Sequence, residues 1–184
     1  MHEPSIPEFA RVLFNEAKAF YEAGSPASSE EAQSAAFHSS LLLAFCSLEA
    51  HINTIAEDFH TMDGLTLLDQ SILRERAIVL DNGKHVLTDD LRMFKLADRI
   101  EYLFATFSKN PLDKTSSVWG NLLGALNLRN QLTHPKTIPD INSKAVEDAL
   151  TAILEMLNLL YKGIYGRSYP DHNFGLNASL SFNL

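Results

Sequence analysis

One stretch constrains this chain more than any other: the thirty or so residues from about Glu30 to His60. Phe37, Leu41, Ala44, Phe45, Leu48, Ile52, Ile55 and Phe59 recur at steps of three and four, the period of a helix. A helix this long with so broad an apolar face has to be covered on several sides by other helices. Ser28 or Ser29 can cap its start, with Glu31 and Gln33 in the first turn, and Asp63-Gly64 ends it.

The rest of the chain supplies such partners. Pro7 to Ala23 reads as a first helix, with Phe9, Val12, Leu13, Ala17 and Phe20 as its stripe. Leu65 to Arg76 is a weaker third helix, with Leu68, Ile72 and Leu73 inward. Residues 78–87 read as a short two-stranded hairpin closed by Asn82-Gly83. Thr88 then caps a fourth helix over Asp89 to Ser108. A fifth begins near Thr115, and a last one runs from Ser143 to Tyr161, closed by Gly163 and Gly166. Residues 167–184 show no period and read as an irregular tail over the helices or a partner. The expected fold is all-α: one domain, an up-and-down bundle of four to five main helices with the hairpin inserted at 78–87.

The chemistry concentrates at the end of the fifth helix, in LNLRNQLTHPK, Leu126 to Lys136. Val118, Leu122, Ala125 and Arg129 share one face, widened by Leu126 and Leu132, so Arg129 lies in line with the core stripe near the helix end. An arginine there complements the helix dipole and needs a partner if it points inward. On a continuing helix His134 would stand about 140° round from Arg129. Pro135 disfavours the α conformation at His134, so the chain can bring the imidazole back beside the guanidinium. The structural reading of the pair is a helix C-cap. The functional reading is phosphate chemistry: histidine titrates near neutrality, and arginine stays charged and grips phosphate with a planar fork. Asn130 could orient either group, and Thr133 could add a hydroxyl or act as a cap. Glu49, mid-way along the long helix, reads either as solvated or as the anchor of Arg129, with Asn53 one turn on in the same network.

This arrangement resembles the HEPN superfamily, whose signature is Arg, four to six residues, then His. Here it is Arg129-Asn130-Gln131-Leu132-Thr133-His134, with Asn130 at the family's polar position and Pro135 following. Upstream, LLLAFCSLEAHINTIAEDF (Leu41 to Phe59) is similar to the long glutamate-bearing helix of many members, Glu49 matching. The resemblance covers roughly Ala32 to Gly163. It implies a metal-independent RNA endonuclease of the kind found in toxin and defence systems, with Arg129, His134 and Asn130 catalytic and Glu49, Thr133 and Asn53 in support. It also implies a homodimer that brings two motifs to one cleft, with an antitoxin or other protein as a further partner. The alternative it implies is a non-catalytic HEPN-like module that binds a nucleotide or a protein. A third account is a purely structural bundle.

Composition narrows the field. The formal charge of -8 argues against an extended basic surface that holds nucleic acid nonspecifically, but not against a small positive site. His38, His51 and His60 share the long helix at spacings of thirteen and nine, not the adjacent-turn pairs of a metal site. With no HExxH and no cysteine pair, no metal and no cofactor is expected. Cys46, alone in an apolar run, reads as a buried, inert thiol. The motifs of dinucleotide, P-loop and esterase chemistry are absent. Gly120 and Gly124 suggest close helix packing, Trp119 a core or interface anchor. No apolar run is read as long enough to span a bilayer, so the expected place is the cytoplasm.

Overall fold

The structure, a computed structural model, describes residues 5–181. In chain order its elements are α1 (Ile6–Gly24), α2 (Glu30–Phe59), α3 (Leu67–Arg74), β1 (Arg76–Asp81), β2 (Lys84–Leu91), α4 (Leu96–Phe107), α5 (Ser117–Thr133) and α6 (Ser143–Tyr165). The described chain is therefore mostly helical, with one two-stranded antiparallel sheet.

The other five helices all pack against α2. Ser29 caps it, its side chain accepting from the amide of Ala32 at 3.1 Å. Leu41, Leu48, Ile52 and Ile55 are completely buried. Its most apolar window has a mean hydropathy of 1.3, so by length and composition α2 meets the requirement for a membrane span, contrary to expectation. In this structure 56% of that window is buried inside the protein, which is how a core helix behaves.

α1 approaches α2 closely because the residues between them are small. Ala10 and Ala17 are fully buried, and Ser47 and Ser40 of α2 donate to their carbonyl oxygens, each at 2.7 Å. The buried stripe of α1 is thus Ala10, Phe14 and Ala17, while Phe9 and Val12, expected inward, are exposed. Leu68 of α3 likewise faces outward, leaving Leu73 as its buried anchor.

The hairpin turns at Asn82 and Gly83, both with positive φ (48° and 77°), the geometry of a tight two-residue loop. Val79 pairs with Val86 and Asp81 with Lys84. β2 runs further than expected, and this corrects the start of the fourth helix. Arg76 pairs with Leu91, the Arg92 amide donates to Glu75 O at 2.8 Å, and Thr88 Oγ1 donates to the Ala77 carbonyl. Thr88, Asp89 and Asp90 therefore belong to a strand, and α4 starts only at Leu96. Strand pairing satisfies backbone groups here that an isolated helix start would leave open.

α6 extends to Tyr165 and ends at Gly166, which takes φ +69° as its left-handed cap. Gly163 lies within the helix: a Cβ there would sit 2.8 Å from the Phe104 ring, so this glycine lets α4 come close. Beyond α6 the described chain, to residue 181, is irregular apart from one 3-10 turn, His172–Phe174. The last three positions of the expected tail, 182–184, lie outside the described residues.

Candidate functional site

α5 is capped by Ser116, whose hydroxyl accepts from the Trp119 amide at 3.3 Å. Trp119, Leu122 and Ala125 bury one side of it. The helix stops at Thr133. His134 is its C-cap residue, at φ -132° and ψ 60°, outside helical geometry, with its amide donating to Asn130 O at 2.9 Å. Pro135 gives the local reason. The imidazole of His134 is exposed and makes no hydrogen bond or ion pair among the described residues.

Arg129, five residues earlier, points across to α2. Its Nη2 lies 3.5 Å from Glu49 Oε1, and its guanidinium carbon sits 5.2 Å from the centre of the Phe45 ring. Phe45 and Glu49 are one turn apart on α2, so one helix face offers both an aromatic surface and a carboxylate. The contact is long and half open to solvent, with 23% of the Arg129 side chain and 44% of the Glu49 side chain exposed. Meanwhile Nε of Arg129 is enclosed and, among the described residues, has no hydrogen-bond partner. The guanidinium is held in place but is short of acceptors.

The neighbouring residues divide. Asn130 is exposed, and its amide makes no side-chain hydrogen bond among the described residues. Thr133 Oγ1 donates to the Arg129 carbonyl at 3.1 Å, closing the last helical turn. Asn53 does not join Arg129: its Oδ1 accepts instead from Arg99 Nη1 of α4 at 2.8 Å. Arg99 also pairs with Glu75 at 3.0 Å and is only 5% exposed. Burial draws its pKa down, while Glu75 and Glu49 oppose that effect. Glu49 therefore lies within electrostatic reach of two arginines from two helices. Arg99 was missed from sequence; its position three after Leu96 and four before Leu103, on a buried stripe, is the signal that could have found it.

Cys46 is exposed, which corrects the expected buried thiol. Partial burial and the Glu49 charge raise its pKa, and Arg129 pulls the other way, so it sits beside this charge pair as a protonated thiol. Gly120 and Gly124 do not mediate close packing either. A Cβ on either would meet open space, and both line a groove of about 520 Å³ with Gln131 of α5 and Ala145 and Asp148 of α6. Arg129 is not among the residues that line that groove. Among the described residues, no group of three or more His, Cys, Asp or Glu side chains is placed to hold a metal ion.

Compared with protein-family models, curated proteins and solved structures, the chain matches none. The site presents a half-buried guanidinium with one long carboxylate contact, an exposed imidazole at the end of the same helix, and an exposed amide between them.

Proposed function

We propose that the chain is a metal-independent RNA endonuclease of the HEPN type, of the sort found in toxin and defence systems, built on an up-and-down arrangement of its main helices. The observation that carries this reading is the state of Arg129. Among the described residues its carboxylate contact is the 3.5 Å one to Glu49, and its Nε is unpaired. The two non-bridging oxygens of a phosphodiester would accept from the part of the guanidinium that reaches solvent, the side chain being 23% exposed, in the forked geometry arginine favours. His134, exposed at the end of the same helix, is open to a substrate and can take or give a proton there.

The protein's own nucleophile is not needed, because RNA carries one. His134 accepts the 2′-hydroxyl proton and the 2′-oxygen attacks phosphorus. The bond to the 5′-oxygen breaks, and that oxygen takes a proton from an imidazolium or water. The products are a 2′,3′-cyclic phosphate and a 5′-hydroxyl. Arg129 stabilises the charge that grows on the phosphate, and Asn130 orients phosphate or imidazole. Two copies would bring two such motifs together. Ile138, 98% exposed a few residues after His134, is the kind of residue a second subunit covers.

The test is to incubate purified protein with mixed RNA, with and without EDTA, beside His134→Ala and Arg129→Ala. Cleavage should persist in EDTA, and each variant should lose ~10²–10⁴-fold in rate while keeping its helical circular dichroism. Intact RNA, or His134→Ala cutting as fast as the parent, would remove the enzyme reading. One observation favours the alternative of a non-catalytic HEPN-like nucleotide- or protein-binding module. Glu49 already offsets part of the Arg129 charge, in a chain of formal charge -8, so a weakly charged ligand suits this site better than a long RNA.

A further inference from the structure

Far along the chain from α5, the segment after α6 lies across α1. Arg11 donates to both carboxylate oxygens of Asp171, each at 2.7 Å. Glu22 accepts from the Ala178 amide, and Asn15 exchanges two hydrogen bonds with Ser179, all at 2.8 Å. Between this segment and α1 is a cavity of about 530 Å³. Val12, Phe14 and Phe174 form its apolar wall, and Lys18 lines it too.

Lys18 is 5% exposed. Lysine is almost never so buried unless it is paired, yet among the described residues it has no ion pair. Its hydrogen bond goes to the carbonyl oxygen of Asn177 at 2.7 Å, and its Nζ lies 5.7 Å from the centre of the Phe14 ring. An ammonium has three N–H donors, so two remain uncommitted. The carboxylates that act on its charge are engaged elsewhere, Asp171 by Arg11 and Glu22 by the Ala178 amide. Burial lowers the lysine pKa, and Asp171 and Glu22 only partly offset this. A buried cation with uncommitted donors is costly. Beside it is a cavity within the ~300–1,000 Å³ range of small-molecule sites.

We propose that this cavity is a binding site for a small monocarboxylate with an apolar body. The carboxylate accepts the two uncommitted Lys18 donors, and the body lies against Val12, Phe14 and Phe174. One charge fits better than two: the single Lys18 ammonium balances a carboxylate, whereas Glu8 and Asp171, which line the cavity, would repel the second charge of a phosphate. This site is independent of the nuclease reading.

Titration calorimetry on the full chain tests it, with benzoate and octanoate as probes and inorganic phosphate as the comparison. The parent should bind at least one carboxylate more tightly than phosphate. Lys18→Met should weaken that binding by about tenfold or more, roughly 1.4 kcal/mol. Val12→Trp keeps Lys18 but fills the cavity from its exposed rim, and should abolish binding. That variant decides the matter if Lys18→Met does not fold. No carboxylate binding by the parent, equal binding by Lys18→Met or by Val12→Trp, or phosphate binding as tight as carboxylate, would each overturn the proposal.

Discussion

His51 is an imidazole inside the core, 1% exposed, between the rings of Tyr161 and Tyr169. Its Nε2 meets the Tyr169 hydroxyl at 3.1 Å, and among the described residues its Nδ1 has no partner. Burial is the main reason its pKa falls from 6.5 to about 4, with Asp171 raising it and Arg11 lowering it. The unfolded chain therefore binds a proton in this window that the folded chain does not. Stability should be complete above about pH 6.5 and decline as the pH falls towards 4, by about 3 kcal/mol in full. Urea unfolding midpoints at neutral and acid pH measure this, and His51→Gln should flatten the slope. An unchanged slope would place the pH dependence elsewhere. Not every residue was equally legible in the sequence. Arg129 stood out because a cation in line with an apolar stripe must meet something, and it meets Glu49. That half-exposed pair contributes on the order of ~0–1 kcal/mol, so it positions more than it stabilises. Cys46 was illegible because α2 is apolar on several sides, and periodicity cannot say which of those sides stays uncovered.

At the scale of elements, glycines separate packing from open groove. Gly120 and Gly124 face open space in α5, whereas Gly163 faces the Phe104 ring. Gly124→Ala should therefore raise stability by roughly 0.5–1 kcal/mol through helix propensity. Gly163→Ala should lower it, since the ring would have to move. Thermal melts of the two variants should shift in opposite directions; shifts of the same sign would contradict this packing. The long helix, the motif helix and the hairpin were legible because period, caps and the Asn-Gly turn agreed. The start of α4 was not. Thr88-Asp89-Asp90 has the chemistry of a helix cap, and only the partner strand, which no local pattern reveals, makes it a strand. α1 was read only partly right: Ala17 is buried as expected, but Phe9 and Val12 are exposed and Ala10 and Phe14 are buried in their place. Much of its inner face is alanine meeting serine hydroxyls, so the large apolar residues marked part of the wrong side.

At the scale of the molecule, the question is what covers the motif end of α5. Trp119 is buried, a core residue rather than an exposed interface anchor. The exposed candidates are Leu123 and Ile138. With dimerisation through that end, light scattering should give twice the 20.5 kDa of the chain, and Ile138→Asp should return it to 20.5 kDa. A particle of 20.5 kDa from the parent at micromolar concentration would count against pairing. The most direct test of the central claim reads the ends of the RNA fragments. If His134 and Arg129 work through the substrate's own 2′-hydroxyl, every cut leaves a 2′,3′-cyclic phosphate and a 5′-hydroxyl, and a 2′-deoxy substitution at the cleaved position blocks that cut. Fragments with 5′-phosphate ends, or cleavage that continues past the 2′-deoxy position, would contradict it.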